Sequence, residues 1–251
     1  MIRVYLTAEL CLRGPGRMVR AGDFPRRQGR LAFAYLVSER ARPVPRPELA
    51  EAIWPGLLPR ASEVALSALV SKLRVLLTGA GLPIQSLVSV AGCYQLVLPG
   101  DAWVDTEAAL ASIHEAEGAL ISGSHVTAYG AAVVAAQILR RPFLPGIEGP
   151  WLDERRELFR RLRLRALEAL AEIQEWNGEL SLARSAAEEM IALEPLRESG
   201  YRRLMRIHQR AGNRAEALSV YARCRELLAK ELGVQPETQT QAVRDEVLAL
   251  P

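Results

Sequence analysis

The second half of the chain carries the same short pattern twice, 34 residues apart. Gly178 precedes Ala183 by five residues, and Gly212 precedes Ala217 by the same interval. A period of this length is typical of a unit of two antiparallel helices, which cannot bury its apolar face alone and therefore stacks on a neighbouring unit. The pattern predicts a stacked helical array from about residue 105 onward, where signals for β-strands are largely absent.

This period is also the length of a tetratricopeptide unit, and apolar or small residues occupy its packing positions. In the first copy the packing and terminating positions are held by Leu167, Leu170, Ala171, Ala183, Ala187 and Pro195. In the second copy they are held by Tyr201, Leu204, Ala217 and Tyr221, with Ala229 in place of the proline. Residues 105–117 and 125–140 form a further amphipathic helix pair. We therefore predict that residues 101–251 form an all-α domain of tetratricopeptide-like repeats.

The first 100 residues mix strand patterns with helix patterns. Period-two alternation predicts short antiparallel strands in residues 1–25. Apolar residues at helical spacing predict a first helix that begins at residue 27 and stops before Pro43. Pro47 stands at a helix start, where its missing N–H costs nothing, and it predicts a short second helix that ends at Pro55.

A third helix and a hairpin complete this region. The third helix is predicted for residues 62–77, with Ser62 as its N-cap and a leucine-rich face turned inward. Residues 84–98 return to period two around Ala91 and Gly92, which predicts a β-hairpin. This order is that of a winged helix-turn-helix domain, whose third helix enters the major groove of DNA, although the pattern alone also fits other small α+β domains. The predicted fold class is an α+β winged helix-turn-helix domain, residues 1–100, followed by the all-α repeat domain.

The net charge also differs between the two predicted domains. Residues 1–100 hold 13 Lys and Arg against 6 Asp and Glu, whereas residues 101–251 hold 19 against 23. A basic part joined to an acidic part indicates a module that faces a polyanion, carried by a module with a different task.

Readout in the major groove needs side chains on the outward face of the third helix, while contacts to phosphates set the register. With the leucines inward, the helical period leaves six side chains outward or on one flank: Ala68, Ser71, Lys72, Val75, Ser67 and Arg74. Two further candidates lie outside the helix, Arg60 in the preceding loop and Gln95 in the hairpin. We expect Ser71 and Lys72 to reach base edges, and Arg60 and Arg74 to reach phosphates.

Several motifs resemble those of one known family. Those in the first half are Arg46-x-Glu48-Leu49-Ala50-Glu51-Ala52-Ile53-Trp54-Pro55, Ser71-Lys72-Leu73-Arg74 and Gly92-Cys93-Tyr94-Gln95-Leu96. They resemble the OmpR-type DNA-binding domain of the Streptomyces antibiotic regulatory protein family. Those in the second half are Leu144-Pro145-Gly146, Trp151, Arg155, Leu193-Glu194-Pro195-Leu196-Arg197-Glu198, Gly212-Asn213-Arg214-Ala215-Glu216-Ala217-Leu218 and Glu231-Leu232-Gly233-Val234-Gln235-Pro236. They are similar to the bacterial transcriptional activation domain of the same family.

The resemblance implies a transcriptional activator that binds direct repeats in double-stranded promoter DNA as a homodimer and recruits RNA polymerase. It places the DNA contacts on the third helix and the hairpin. Because the matches cover almost the whole chain, we expect a cytoplasmic short form without a receiver, forkhead-associated or nucleotide-binding domain. The alternative is a protein-interaction adaptor whose winged helix no longer reads DNA, because the front of its third helix is less polar and less basic than is usual in the family.

No pattern in the chain favours catalysis. The cysteines and histidines are scattered without the spacing of a metal site: Cys11, Cys93, Cys224, His114, His125 and His208. The sequence contains no GxxxxGK[ST] or GxSxG motif and no GxGxxG motif after a strand. We therefore expect no enzyme activity, no cofactor and no metal. No stretch is long and apolar enough to span a membrane, so we expect no membrane partner.

Overall fold

The computed structural model describes residues 1–249 and groups them into two compact units. Unit 1 comprises Met1–Ala109 and Ile138–Phe159. Unit 2 comprises Leu110–Gln137 and the described residues from Arg160 onward. These units are groups of residues that pack together, and the boundary between independently folding domains at residues 100 and 101 stays a prediction.

The elements of the first part follow the predicted order of strands, three helices and a hairpin. In chain order they are β1 (Arg3–Tyr5), β2 (Cys11–Arg13), β3 (Val19–Arg20), α1 (Arg26–Ser38), β4 (Val44–Pro45), α2 (Arg46–Ile53), α3 (Ser62–Gly79), β5 (Leu87–Val90), β6 (Cys93–Leu96) and β7 (Trp103–Val104). The strands β4 and β7 were not predicted, because two residues are too few to show a period.

Two small sheets organise these strands. In the first the order is β3-β2-β1-β7, and β1 pairs antiparallel with β2 and parallel with β7. In the second the order is β4-β6-β5, so the hairpin of β5 and β6 gains β4 as a third strand. Ala91 and Gly92 in the hairpin turn have φ angles of 49° and 75°, as in the two-residue turns that join twisted strands. The predicted hairpin and its turn are confirmed.

Helix α3 is anchored by the inward face that its spacing predicts. Four residues of this leucine-rich face are at most 2% exposed: Leu66, Val70, Leu73 and Leu77. They share one core with Phe33 of α1 and Ile53 of α2. Burial of this face sets the rotation of α3 about its own axis, because turning the helix would bring these side chains into water.

The start of α3 differs from the prediction. Ser62 is the first helical residue, and Ala61 is the N-cap, without a side-chain cap hydrogen bond. Instead, the backbone N–H of Ser62 donates to the carbonyl of Pro59 at 2.9 Å. The prediction that Ser62 caps α3 is therefore wrong, because the Ala65 N–H donates to the Ala61 carbonyl at 3.0 Å, so the helix starts one residue earlier than predicted.

The rest of the chain is helical. The helices are α4 (Asp105–Ile121), α5 (His125–Leu139), α6 (Pro150–Trp176), α7 (Leu180–Leu193), α8 (Glu198–Arg210), α9 (Arg214–Leu232) and α10 (Thr238–Ala249). Gly178 and Gly212 lie between the two helices of each predicted repeat, with φ angles of 78° and 75°, a conformation that glycine adopts without steric cost. Ala183 and Ala217 are fully buried, so the predicted helical repeat is confirmed. None of the described helices is long and apolar enough to cross a membrane.

Arginines of α6 form ion pairs with other helices. In unit 1 Arg155 pairs with Glu39, the C-cap residue of α1. In unit 2 Arg165 pairs with Glu117 of α4 at 2.7 Å, and this guanidinium lowers the pKa of the Glu117 carboxyl. Ion pairs therefore hold Arg155 and Arg165 against neighbouring helices. Their acidic partners lie 116 and 48 residues away in the chain, where no local pattern reveals them.

Candidate nucleic-acid interface

The side of α3 opposite its buried face is open to solvent. Its outermost residues stand at i, i+4, i+7 and i+11, and they are Val64, Ala68, Ser71 and Val75. Val64 is 71% exposed and Val75 is 74% exposed. The structure therefore leaves five of the predicted contact residues on α3 exposed: Ser67, Ala68, Ser71, Lys72 and Val75.

The hydroxyl of Ser71 is engaged within the helix. It donates to the backbone carbonyl of Ser67 at 2.9 Å, an i−4 contact that serine commonly makes in helices. The hydroxyl hydrogen of Ser71 is thus engaged in this bond, whereas the lone pairs of its oxygen remain able to accept. In this conformation Ser71 can accept from the exocyclic amine of adenine or cytosine.

Arg74 lies on the flank of α3 that faces the hairpin. Its side chain is half-buried, and its Nε donates to the carbonyl of Leu87 at 3.0 Å. Because Leu87 begins β5, this hydrogen bond ties α3 to the base of the hairpin. Arg74 therefore positions the hairpin relative to α3, and its contact with a phosphate stays a prediction.

The two candidates outside α3 have different surroundings. Arg60 is exposed in the loop before α3 and forms no hydrogen bond or ion pair with another described residue. Gln95 in β6 is half-buried, and its Nε2 donates to the carbonyl of Arg40 at 3.2 Å. Arg60 can therefore turn toward a ligand, whereas Gln95 is held against the segment that follows α1.

A groove beside α3 brings in residues that the sequence analysis did not single out. It encloses about 340 Å³ and is lined by Pro25, Arg26, Gln28, Trp54, Ala65, Ala68, Leu69 and Lys72. The start of α1 thus lies beside the flank of α3 that carries Lys72. Sequence reasoning missed Arg26 because only folding brings it near Lys72.

Arg46 was also missed as a candidate. Its guanidinium lies 5.1 Å from the centre of the Tyr94 ring, and its Nη2 is 3.4 Å from the Ser89 hydroxyl. Both partners belong to the hairpin of β5 and β6, which is the predicted wing, so Arg46 lies against the wing. Tyr94 is buried and packs in the core of unit 1. The position of Arg46 between Pro45 and Pro47 was the sequence signal that could have identified it as a candidate.

Cations around α3 have no acidic partner in the described part of the chain. They are Arg26, Arg46, Arg60, Lys72 and Arg74. Some other cations of unit 1 do have acidic partners: Arg42 contacts Glu48 at 2.5 Å and lowers the pKa of the Glu48 carboxyl. These five cations are therefore not held in ion pairs within the described residues and can attract phosphates.

The C-terminal end of α3 is fixed by the turn between β2 and β3. Backbone N–H groups of Gly16 and Arg17 donate to the carbonyls of Ala80 and Gly79 at 3.1 and 2.9 Å. Carbonyls at a helix C-terminus have no partner inside the helix, so these bonds satisfy them. Gly14 permits the close approach, because a Cβ there would lie 2.1 Å from the carbonyl oxygen of Ala80.

This approach predicts the effect of adding a single methyl group. Gly14→Ala is expected to lower the free energy of unfolding by about 1–3 kcal/mol, because the backbone must move to accept the side chain. Urea denaturation measures this difference. Gly22→Ala is the matched control, since no atom lies within 4 Å of its added Cβ. Equal losses for the two variants would contradict the close approach.

The family model of the bacterial transcriptional activator domain matches residues 104–248, which is more than half of the chain. The chain belongs to the bacterial transcriptional activator domain family. This match confirms the resemblance stated for the second half. The family consists of transcriptional regulators, and it is not a family of enzymes.

This member of the bacterial transcriptional activator domain family is similar to longer bacterial regulators. Regulatory protein AfsR of Streptomyces coelicolor is 30% identical over 88% of this chain and 22% of AfsR. Transcriptional regulatory protein EmbR of Mycobacterium tuberculosis is 29% identical over 87% of this chain and 57% of EmbR. The chain thus spans less than two thirds of the length of either relative. These similarities confirm the resemblance to the Streptomyces antibiotic regulatory protein family.

A solved structure shows the same fold as this family member. Mycobacterium tuberculosis EmbR in complex with a low-affinity phosphopeptide matches with a TM-score of 0.88 at 24% identity. The match covers 98% of this chain and 65% of the EmbR chain. It confirms the predicted fold class, a winged helix-turn-helix region followed by helical repeats.

Proposed function

We propose that this family member is a sequence-specific DNA-binding transcriptional activator. Helix α3 reads promoter direct repeats in the major groove, the hairpin follows the DNA backbone, and the helical repeats recruit RNA polymerase. One observation carries the DNA-binding part: α3 is anchored by its buried leucines, while its outer face is exposed and lies among cations without acidic partners in the described residues.

Salt dependence tests the electrostatic part of this proposal. Each cation that reaches a phosphate of duplex DNA adds about 0.9 to the slope of log affinity against log salt. Footprinting on the promoters beside its own gene identifies the site, and fluorescence anisotropy across a salt series measures the slope. The proposal expects a steep slope together with preference for the footprinted site over random DNA.

Reading and anchoring residues are distinguished by comparing two DNA sequences. Lys72→Ala and Ser71→Ala are each expected to weaken binding to the footprinted site by about 5- to 150-fold, and to weaken binding to random DNA less, because they remove base contacts. Anisotropy titrations of both DNAs measure the ratio.

Lys230→Ala is the control for Lys72→Ala. It removes the only other lysine of the chain, an exposed residue 3.3 Å from Glu231 in α9. Equal losses on both DNAs for Lys72→Ala and Ser71→Ala would assign these side chains to phosphate contacts instead of base contacts.

Homodimer formation is tested with DNA that carries one or two half-sites. Two linked binding events raise the overall affinity without new contacts, and half-sites one helical turn apart face the same side of the duplex. Sedimentation of the complexes is expected to show one protomer on a single half-site and two on the repeat. One protomer on both DNAs would show that the protein does not bind the repeat as a dimer.

Polymerase recruitment is tested by transcription with purified polymerase from the footprinted promoter. The protein is expected to raise the yield of transcript, and Lys72→Ala is expected to lower this gain in parallel with its loss of site binding. Full occupancy of the promoter without a gain in transcript would leave a DNA-binding protein that is not an activator.

The adaptor is kept as the second candidate, because much of the outer face of α3 is uncharged. An adaptor would use α3 for packing or dimerisation and would show no preference among DNA sequences. The footprinting experiment therefore separates the two functions.

A further inference from the structure

The outermost line of α3 carries apolar side chains where polar ones are expected on an exposed helix. Val64, Ala68 and Val75, here called the apolar ridge, lie on one stripe of the helix that is interrupted only by Ser71. The two valines are 71% and 74% exposed. At a rise of about 1.5 Å per residue the ridge is about 16 Å long. Burying these side chains in a complex would therefore be favourable.

We propose that the apolar ridge reads the 5-methyl groups of thymine in the major groove, an inference that rests on the proposed function. The thymine methyl is the apolar group that base pairs present in this groove. Alanine and valine have no hydrogen-bonding atoms in their side chains, so they can recognise a base edge only by packing. Apolar contact with this methyl meets that condition.

Charge around the ridge favours a duplex as its occupant over another protein surface. Lys72 and Arg26 line the groove on one flank of α3, and Arg74 and Arg46 lie toward the hairpin on the other. None of these cations has an acidic partner among the described residues. An apolar protein surface would leave these cations without counter-charges, whereas DNA supplies phosphates on both sides of the major groove.

The ridge and Ser71 together define the kind of half-site that the helix accepts. Ser71 lies between Ala68 and Val75, and because its hydroxyl donates to the carbonyl of Ser67, it accepts from a base in this conformation. Ala68 and Val75 are about 10 Å apart along the helix. The predicted half-site therefore has thymine methyl groups a few base pairs apart, with an adenine or cytosine amine between them.

Replacing thymine by deoxyuridine tests this inference directly, since it removes the methyl group and leaves the hydrogen-bonding atoms of the base in place. Each thymine of the footprinted half-site is replaced in turn, and binding of the whole chain is measured by anisotropy. At the thymines that the ridge contacts, binding is expected to weaken about fourfold, as for one methyl group left unburied. Replacing the same base pair by one with 5-methylcytosine is expected to retain the packing contact.

Variants of the protein assign the effect to the ridge. Val75→Ala is expected to reduce the deoxyuridine penalty at one thymine and to leave it unchanged at the others. Val134→Ala is the matched control, because it makes the same change at an exposed valine of α5. It is expected to keep every penalty. Circular dichroism checks that both variants fold.

The possible results separate this inference from the proposed function. Site-selective binding that is insensitive to deoxyuridine at every position overturns the inference and leaves the proposed function standing. Absence of any site-selective binding overturns both. If Val75→Ala changes self-association in sedimentation while deoxyuridine has no effect, the ridge is a protein contact and the inference is wrong.

Discussion

Replacing Asp105 by alanine is expected to lower the free energy of unfolding by about 3–5 kcal/mol. The carboxylate of Asp105 is fully buried at the start of α4. It accepts hydrogen bonds from the backbone N–H groups of Leu6, Thr7 and Thr106 at 2.8 to 3.0 Å and from the Thr7 hydroxyl at 2.7 Å. Alanine would leave these donors buried without an acceptor, and each such donor costs about 1–3 kcal/mol.

The expected loss is smaller than the summed cost of the unsatisfied donors, because burying the carboxylate is itself unfavourable. Burial raises the pKa of the Asp105 carboxyl above its ordinary value, and the donors offset only part of that rise. Removing the carboxylate also removes this desolvation cost.

Urea denaturation of the whole chain measures the change at Asp105. Asp101→Ala is the matched control, since that carboxylate is exposed and lies 3.7 Å from the N-terminal amine. An exposed pair of this kind contributes about 1 kcal/mol or less. A loss of less than about 1 kcal/mol for Asp105→Ala would show that these hydrogen bonds do not hold the segment after β1 to Asp105.

Replacing Leu73 by alanine is expected to lower the free energy of unfolding by about 2–5 kcal/mol. Leu73 is 1% exposed in α3 and belongs to the core of unit 1. Its removal loses the burial energy of the side chain and leaves a cavity that the surrounding side chains fill only partly. DNA binding is expected to fall as well, because Leu73 helps hold α3 in the orientation that exposes its outer face.

Val75→Ala on the same helix is the control for Leu73→Ala. Because Val75 is exposed, its replacement is expected to change the free energy of unfolding by no more than about 0.5 kcal/mol. Urea denaturation compares the two variants. Similar losses for both would show that α3 is not anchored by its leucine face.

The rotation of α3 and the repeat of the second half could be predicted because each follows from a period in the sequence. Leu66 and Leu73 recur at helical spacing and are buried, whereas Ala68 and Val75 on the other side are exposed. The hairpin was predicted from its alternating residues and from the Ala91–Gly92 turn. In each case residues a few positions apart carry the pattern.

The surroundings of the candidate site could not be predicted in the same way. The sequence indicates that Arg74 and Gln95 are polar and near the predicted interface. It does not show that one donates to Leu87 and the other to Arg40. The groove lined by Arg26 and Lys72 could not be predicted from local sequence patterns, because its walls come from separate helices.

The sequence by itself determined the three helices and the hairpin of the first part, the helical repeat of the second part, and which face of α3 is apolar, because neighbouring residues specify local periodicity. Only the tertiary structure decided the partners of the charged side chains. Arg165 meets Glu117 across 48 residues, and Asp105 meets Leu6 across 99. Such pairs depend on how complete elements pack, and packing is governed by the shapes of distant surfaces and not by the spacing of neighbours.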